Sequence, residues 1–148
     1  MAKNPPDFSF NNYLFSFDKE KMDATVVHQY LATESYWAKN IPLETVRRSI
    51  SNAACLAIFD GSGNLVGFGR MITDYATFGY LADIFILKAH RGKGLSKKMV
   101  ALFAQLADEC GLRRTMLATN DAHGLYQQYG FEPLADPKTI MNRKGKPY

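Results

Sequence analysis

The sequence predicts a mixed α/β (α+β) fold, with helices packed on a mixed sheet that contains a parallel βαβ unit. Three patterns carry that prediction. Apolar residues recur at helical spacing in two stretches before Cys55. Two strand-like runs then flank the turn Asp60-Gly61-Ser62-Gly63-Asn64. Beyond them a strand, a glycine-containing loop, an amphipathic helix and another strand follow in succession, which is the order of a parallel crossover.

In chain order, residues 13–18 read as a first strand. Asp23 suits the N-cap of a helix over about 24–33, whose apolar face is Val26, Val27, Tyr30 and Leu31. Pro42 suits the first turn of a second helix, in which Leu43, Val46 and Ile50 recur at helical spacing. Cys55–Phe59 is a strand, Asp60–Asn64 a tight turn, and Leu65–Thr73 the returning strand. Tyr80–Leu87 is almost continuously apolar, as expected of a strand covered on both faces. Leu95, Met99, Leu102, Phe103, Leu106 and Cys110 mark one helix face, and Gly111 stands where a left-handed cap is common. Arg113–Thr119 is a further strand. Ala122–Tyr129 is a short helix with Asp121 as its N-cap and Gly130 at its end, and Phe131 opens a last strand.

The chain is the size of one domain, expected over residues 1–148, and its 47% hydrophobic and 22% charged content is that of a globular protein. No apolar run approaches the ~20 residues of a membrane span. The start, Met1-Ala2-Lys3-Asn4-Pro5-Pro6-Asp7, lacks the apolar stretch of a signal peptide, so a cytoplasmic protein is expected, with no membrane partner. Cys55 and Cys110 sit in apolar segments without C-x-x-C spacing and read as core thiols. Net charge is +4, but with no long basic run or nucleic-acid motif a nucleic-acid partner is not expected. No His, Cys and carboxylate set has metal-ligand spacing, so no metal is expected.

The segment from Asp83 to Lys98 carries the chemistry. A buried strand runs through Arg91-Gly92-Lys93-Gly94 directly into a helix. The first N–H groups of a helix lack internal partners and carry partial positive charge, so they can bind an anion. Gly92 and Gly94 let backbone approach a phosphate, and Arg91, Lys93, Lys97 and Lys98 add cations around the same point. The pattern points to a pyrophosphate cradle. A strand–turn–helix with a solvated basic face is the plainer alternative.

Arg91-Gly92-Lys93-Gly94-Leu95-Ser96 resembles motif A of the GCN5-related N-acetyltransferase (GNAT) superfamily, [RQ]-x-x-G-x-[GA], with Ser96 in place of the last glycine or alanine. Gly124-Leu125-Tyr126-Gln127-Gln128-Tyr129-Gly130-Phe131 resembles motif B, L-Y-x-x-x-G-F. The resemblance covers roughly residues 13–135. It implies a central twisted sheet of about six to seven strands flanked by about four helices, with a splayed parallel strand pair. It also implies acetyl-CoA as the acyl donor and, without a metal, direct attack of an amine on the thioester.

Residue by residue, the resemblance implies that pantetheine pairs with the backbone of Ile84, Phe85 and Ile86. The pyrophosphate would lie on the backbone of Gly92, Lys93, Gly94, Leu95, Ser96 and Lys97, beside Arg91. Tyr126 matches the tyrosine that protonates the leaving thiolate. From a pKa of about 10 to one of about 8.5, that transfer is uphill by only about 2 kcal/mol. Thr119 or Asn120 would touch coenzyme A. Similar enzymes acting on small amines carry an acid at the position of Asp83, the lone charge in its apolar strand. An unpaired buried carboxylate is costly, so Asp83 either binds or deprotonates the acceptor ammonium, or caps a neighbouring polar group.

Tyr36 and Trp37 in the connection between the first helices, Pro133–Pro137, and Asp74-Tyr75 are candidates to line the acceptor site. His90 is expected at the surface, and His123 stands one helical turn before Tyr126, where it can orient it. The expected acceptor is a primary amine on a small molecule. A protein or peptide acceptor, or a silent coenzyme A-binding module, are the alternatives. Similar enzymes often dimerise, so a homodimer is among the implied assemblies.

Overall fold

The computed structural model describes residues 4–148; Met1–Lys3, the start of the segment read above as lacking an apolar leader, lie outside the described residues. Six strands form one sheet in the order β1-β2-β3-β4-β5-β6. They are β1 (Phe8–Phe10), β2 (Tyr13–Ser16), β3 (Ala54–Phe59), β4 (Leu65–Thr73), β5 (Phe78–Ile86) and β6 (Arg114–Leu117). All neighbours are antiparallel except β5 and β6, which run parallel. The helices are α1 (Ala24–Thr33), α2 (Leu43–Ser51), α3 (Leu95–Glu109) and α4 (His123–Gln127).

Alternation along the strands divides the core between two faces. From β3, Leu56 and Ile58 point to the face that α3 covers with Met99, Val100, Phe103 and Leu106. Cys55, Ala57 and Phe59 point to the opposite face, against Val27 and Leu31 of α1 and Val46 and Ile50 of α2. Both faces are covered, which is why β3 is apolar at every position.

The helix ends follow their capping residues. Asp23 accepts from the backbone N–H of Thr25, and Pro42 stands immediately before α2. At the end of α3, Gly111 at φ 66° lets its N–H reach Asp108 O and that of Leu112 reach Ala107 O, which satisfies carbonyls left open by the last turn.

Three expectations need correction. A strand precedes the first expected one: β1 pairs with β2 across Asn11-Asn12, both at positive φ (48° and 64°), as a two-residue hairpin loop requires. No strand begins at Phe131. The stretch from there to Pro137 carries Pro133 and Pro137, which lack an N–H for a ladder, and it stays irregular and largely exposed. Asp121 does not cap α4; Ala122 is the N-cap, and the Thr119 hydroxyl accepts its N–H at 3.1 Å.

Cys55 is 1% exposed, and burial pushes its thiol up to about 11 from 9.0. A raised folded-state value means that the contribution is complete below pH 9 and lost as pH rises toward 11. Over that window Cys55 should cost roughly 2–3 kcal/mol of unfolding free energy. Denaturant unfolding of the protein and of Cys55→Ala at pH 8.5 and pH 11 should show the steeper loss only in the parent.

Candidate functional site

Strands β5 and β6 pair only over Phe78–Leu81 and Arg114–Leu117, and beyond Leu81 they separate. On its other side β5 stays paired with β4 as far as Ile86, but the register shifts: Phe68 faces Phe85 and Arg70 faces Ala82. Asp83 and Ile84 therefore oppose Gly69 alone, a β-bulge in which Asp83 takes φ 55°. The bulge bends β5 away from β6. The space between them is a cleft of about 950 Å³, lined by Leu81–Ile86 on one wall and by Leu117–Ala122 and Tyr126 on the other.

At one end the cleft opens toward the start of α3. Gly94 is the N-cap at φ 77°, with Gly92 also at φ 77°. A Cβ built on Gly92 meets nothing within 4 Å, so that side of the turn is open. A concavity of about 300 Å³ lies over His90–Lys97, and the cleft shares Ile86, Arg91 and Ser96 with it. The first N–H groups of α3 converge there, the geometry suited to an anion.

The cations do not all converge there. Lys93 Nζ donates to the Tyr13 hydroxyl at 3.2 Å, and that hydroxyl also bonds His90 Nδ1 at 2.8 Å. His90, expected at the surface, is thus half-buried against Tyr13. Lys98 lies over Phe8 and Phe10, 4.6 and 5.6 Å from the ring centroids. The β1–β2 hairpin thus takes both lysines, Lys93 from the turn before α3 and Lys98 from the first turn of the helix. Exposed Lys97 remains at the concavity. Arg91 donates through Nε to Ile86 O at 2.8 Å and through Nη2 to the Tyr30 hydroxyl at 3.2 Å, so it braces the loop and already occupies the Ile86 carbonyl. Leu95 is buried and offers only its backbone. Ile84 packs toward α3, and Phe85 stacks on Tyr30 at 4.0 Å, which leaves backbone toward the splayed gap. Asn120 is exposed on the far wall.

Asp83 is not a free carboxylate. Its Oδ2 accepts from Arg70 Nε at 2.6 Å, and its Oδ1 accepts from the Trp37 indole at 2.8 Å. Trp37 comes from the α1–α2 connection, which buried Ser35 fixes by donating to Leu31 O and accepting from the Ala38 N–H. Arg70 escaped the sequence reading. Its signal was present: it is the lone charge in β4, as Asp83 is in β5.

Tyr126 is buried at 9% exposure and borders the cleft. Burial first, then Tyr36 and Asp121, holds its phenol above the ordinary tyrosine value. His123, Pro133 and Leu134 line a cavity of about 610 Å³ that adjoins the β5–β6 cleft, sharing Leu117–Thr119 and Tyr126 with it. Asp74 accepts from the backbone of Ala76, Thr77 and Phe78 and so closes the β4–β5 turn. Among the described residues no group of three or more His, Cys, Asp or Glu is placed to hold a metal ion, and no helix is long and apolar enough to cross a membrane.

Residues 24–131 match the model of the Acetyltransferase (GNAT) family. A crystal structure from Xanthomonas campestris pv. campestris, of a protein assigned to the GNAT family, superposes with a TM-score of 0.85 at 44% identity, covering 93% of this chain and 96% of that one. A Clostridium acetobutylicum protein assigned as an acetyltransferase, solved with acetyl-CoA, shares the fold at a TM-score of 0.67 and 14% identity, covering 90% of this chain and 95% of that one. A Gibberella zeae protein assigned as an acetyltransferase is 28% identical over 141 residues, 82% of this chain and 80% of its own.

Proposed function

Because the chain belongs to the GNAT family of acetyltransferases, we propose that it transfers the acetyl group of acetyl-CoA to a primary amine of a small molecule, by direct attack with both substrates bound. One observation carries this reading. The cleft between β5 and β6 runs continuously from the anion-suited start of α3 to the phenol of Tyr126.

Coenzyme A would lay its pyrophosphate on the backbone of Gly92–Lys97 and its pantetheine along Ile84 and Phe85. The thioester then reaches the bulge. A backbone N–H of the splayed strand would meet the oxyanion that develops there, where fixed donors outperform water. The amine would enter from the side of Trp37 and Arg70. An aliphatic ammonium has a pKa near 10.4, so only about one in a few thousand is neutral at pH 7 and a proton must leave before attack. Arg70 and Trp37 hold Asp83 at the edge of the cleft, and the proton would leave through water there, with Asp83 orienting the amine's approach. Tyr126 gives its proton to the departing sulfur. Holding both substrates in line can supply about 7–11 kcal/mol.

Calorimetry with acetyl-CoA, followed by free-thiol release across amino acids, polyamines, aminoglycosides and peptides, tests the reading. Micromolar binding with turnover on small amines supports it. Turnover confined to peptides would move the acceptor to proteins, and binding without any turnover would leave a silent coenzyme A module. Absence of binding would sink it altogether.

The Tyr13 hydroxyl ties His90 to Lys93 and so clamps the turn that presents the backbone donors. Tyr13→Phe keeps the ring and removes the tie. At about 1 kcal/mol for the lost bonds, KM for acetyl-CoA should rise roughly 3–10-fold, with kcat within about two-fold. A changed kcat with an unchanged KM would refute the clamp.

A further inference from the structure

The ion pair facing the cleft has an unused half. Arg70 spends only its Nε on Asp83. Its side chain is 18% exposed and that of Asp83 8%. Among the described residues no protein acceptor bonds the two terminal amino groups of Arg70, yet no buried side-chain nitrogen or oxygen lacks a partner. Those amino groups therefore reach solvent, and the cavity that Arg70 borders is the β5–β6 cleft. A guanidinium is always charged and presents its donors in a planar fork that fits a carboxylate bidentately. Arg91, the other arginine of the cleft, already spends Nε and Nη2 on Ile86 O and the Tyr30 hydroxyl, which leaves only Nη1 and no pair of amino groups for a bidentate contact.

The placement of this fork is constrained on three sides. Arg70 lies opposite Ala82, next to the bulge where β5 leaves β6. Asp83 fixes its Nε edge, and Trp37 fixes Asp83. Its free edge is thus aimed from a rigid sheet, beside the place where the thioester would lie.

Granting the acetyl transfer proposed above, we infer that the acceptor is an amino acid, whose carboxylate is held by the terminal amino groups of Arg70. In an α-amino acid the carboxylate is attached to the carbon that bears the amine, so seating it on Arg70 delivers the nitrogen to the bulge. The Arg70–Asp83 pair is neutral overall, as is a zwitterion, so neither partner brings an uncompensated charge into the cleft. Asp83 is then a positioning residue that orients the fork.

The test is thiol release from acetyl-CoA with free amino acids against their carboxamides and the matching simple alkylamines. Free amino acids should exceed their carboxamides by at least about ten-fold in kcat/KM, because a fork left without its carboxylate keeps unpaired donors. Arg70→Gln should raise KM for the amino acid by roughly 10–100-fold with kcat within a few-fold, and lower kcat/KM for the carboxamide by far less, so that the preference for the free acid collapses. Asp83→Asn keeps a residue that tolerates positive φ and should give a smaller rise, of about 2–5-fold. A merely structural role would lower activity on both substrate classes together. Equal turnover of acids and carboxamides by the parent protein overturns the inference and leaves acetyl transfer standing, a comparison that needs no variant to fold. Binding of acetyl-CoA with no turnover of either class overturns both.

Discussion

Tyr126→Phe should lower kcat by about 10²–10³-fold at pH 7, with acetyl-CoA affinity within about two-fold of the parent. The substitution removes one oxygen and leaves the ring, which packs edge-on against Phe131 at 5.8 Å, so the thermal midpoint should not move. The effect is large because the thiolate of coenzyme A otherwise leaves without a proton donor. Burial sets the terms. With its value held above 10, the phenol stays protonated across the physiological range, but giving the proton up costs more than the roughly 2 kcal/mol of an ordinary tyrosine. The pH profile carries the sign. Tyr126 acts in its protonated form, so activity that depends on it falls only above its raised value. The variant should lack that basic limb and keep the rising limb set by the amine. A kcat within three-fold of the parent, at an unchanged midpoint, would remove Tyr126 from proton delivery.

What the sequence disclosed depended on punctuation. Helices α1, α2 and α3 and the β3–β4 hairpin were legible because Asp23, Pro42, Gly111 and the Asp60–Asn64 turn mark where periodicity changes. The cleft walls followed from the glycine loop and from Tyr126. The bulge was not legible: Asp83 at φ 55° sits inside what reads as continuous strand, and only the register with β4 reveals the extra residue. The four cations near the loop were close in sequence but not in space, because α3 sends Lys98 to the β1–β2 hairpin and Lys93 reaches Tyr13. That hairpin itself was hidden, since β1 is only three residues long. Asp83 drew attention as a lone charge in an apolar strand. The same reasoning would have marked Arg70, the lone charge of β4, but not paired the two, because the regular register sets Arg70 opposite Ala82 and only the bulge turns Asp83 toward it.

The bulge also makes the sheet sensitive at a residue with no side chain. Gly69→Val should destabilise the fold by about 2–3 kcal/mol and lower the thermal midpoint by roughly 4–12 °C. A Cβ on Gly69 would stand 2.8 Å from Met99 Sδ, 3.0 Å from Ile84 Cγ1 and 3.1 Å from Phe103 Cε2. Met99 can swing aside, but Phe103 is 1% exposed in the α3–sheet core, and Ile84 is part of the bulge itself. Valine adds two methyl groups to this contact, so either α3 lifts from the sheet or the bulge shifts. A shifted bulge moves Asp83 and, through it, Arg70 and Trp37, so kcat should fall further than the unfolded fraction explains. Gly124→Ala is the control: its Cβ meets nothing within 4 Å in α4, and alanine should be neutral or stabilising by up to about 1 kcal/mol. A Gly69→Val midpoint within 1 °C of the parent would show that the core opposite the bulge has room to spare. The bulge would then be set by Asp83 and its partners rather than by packing against α3.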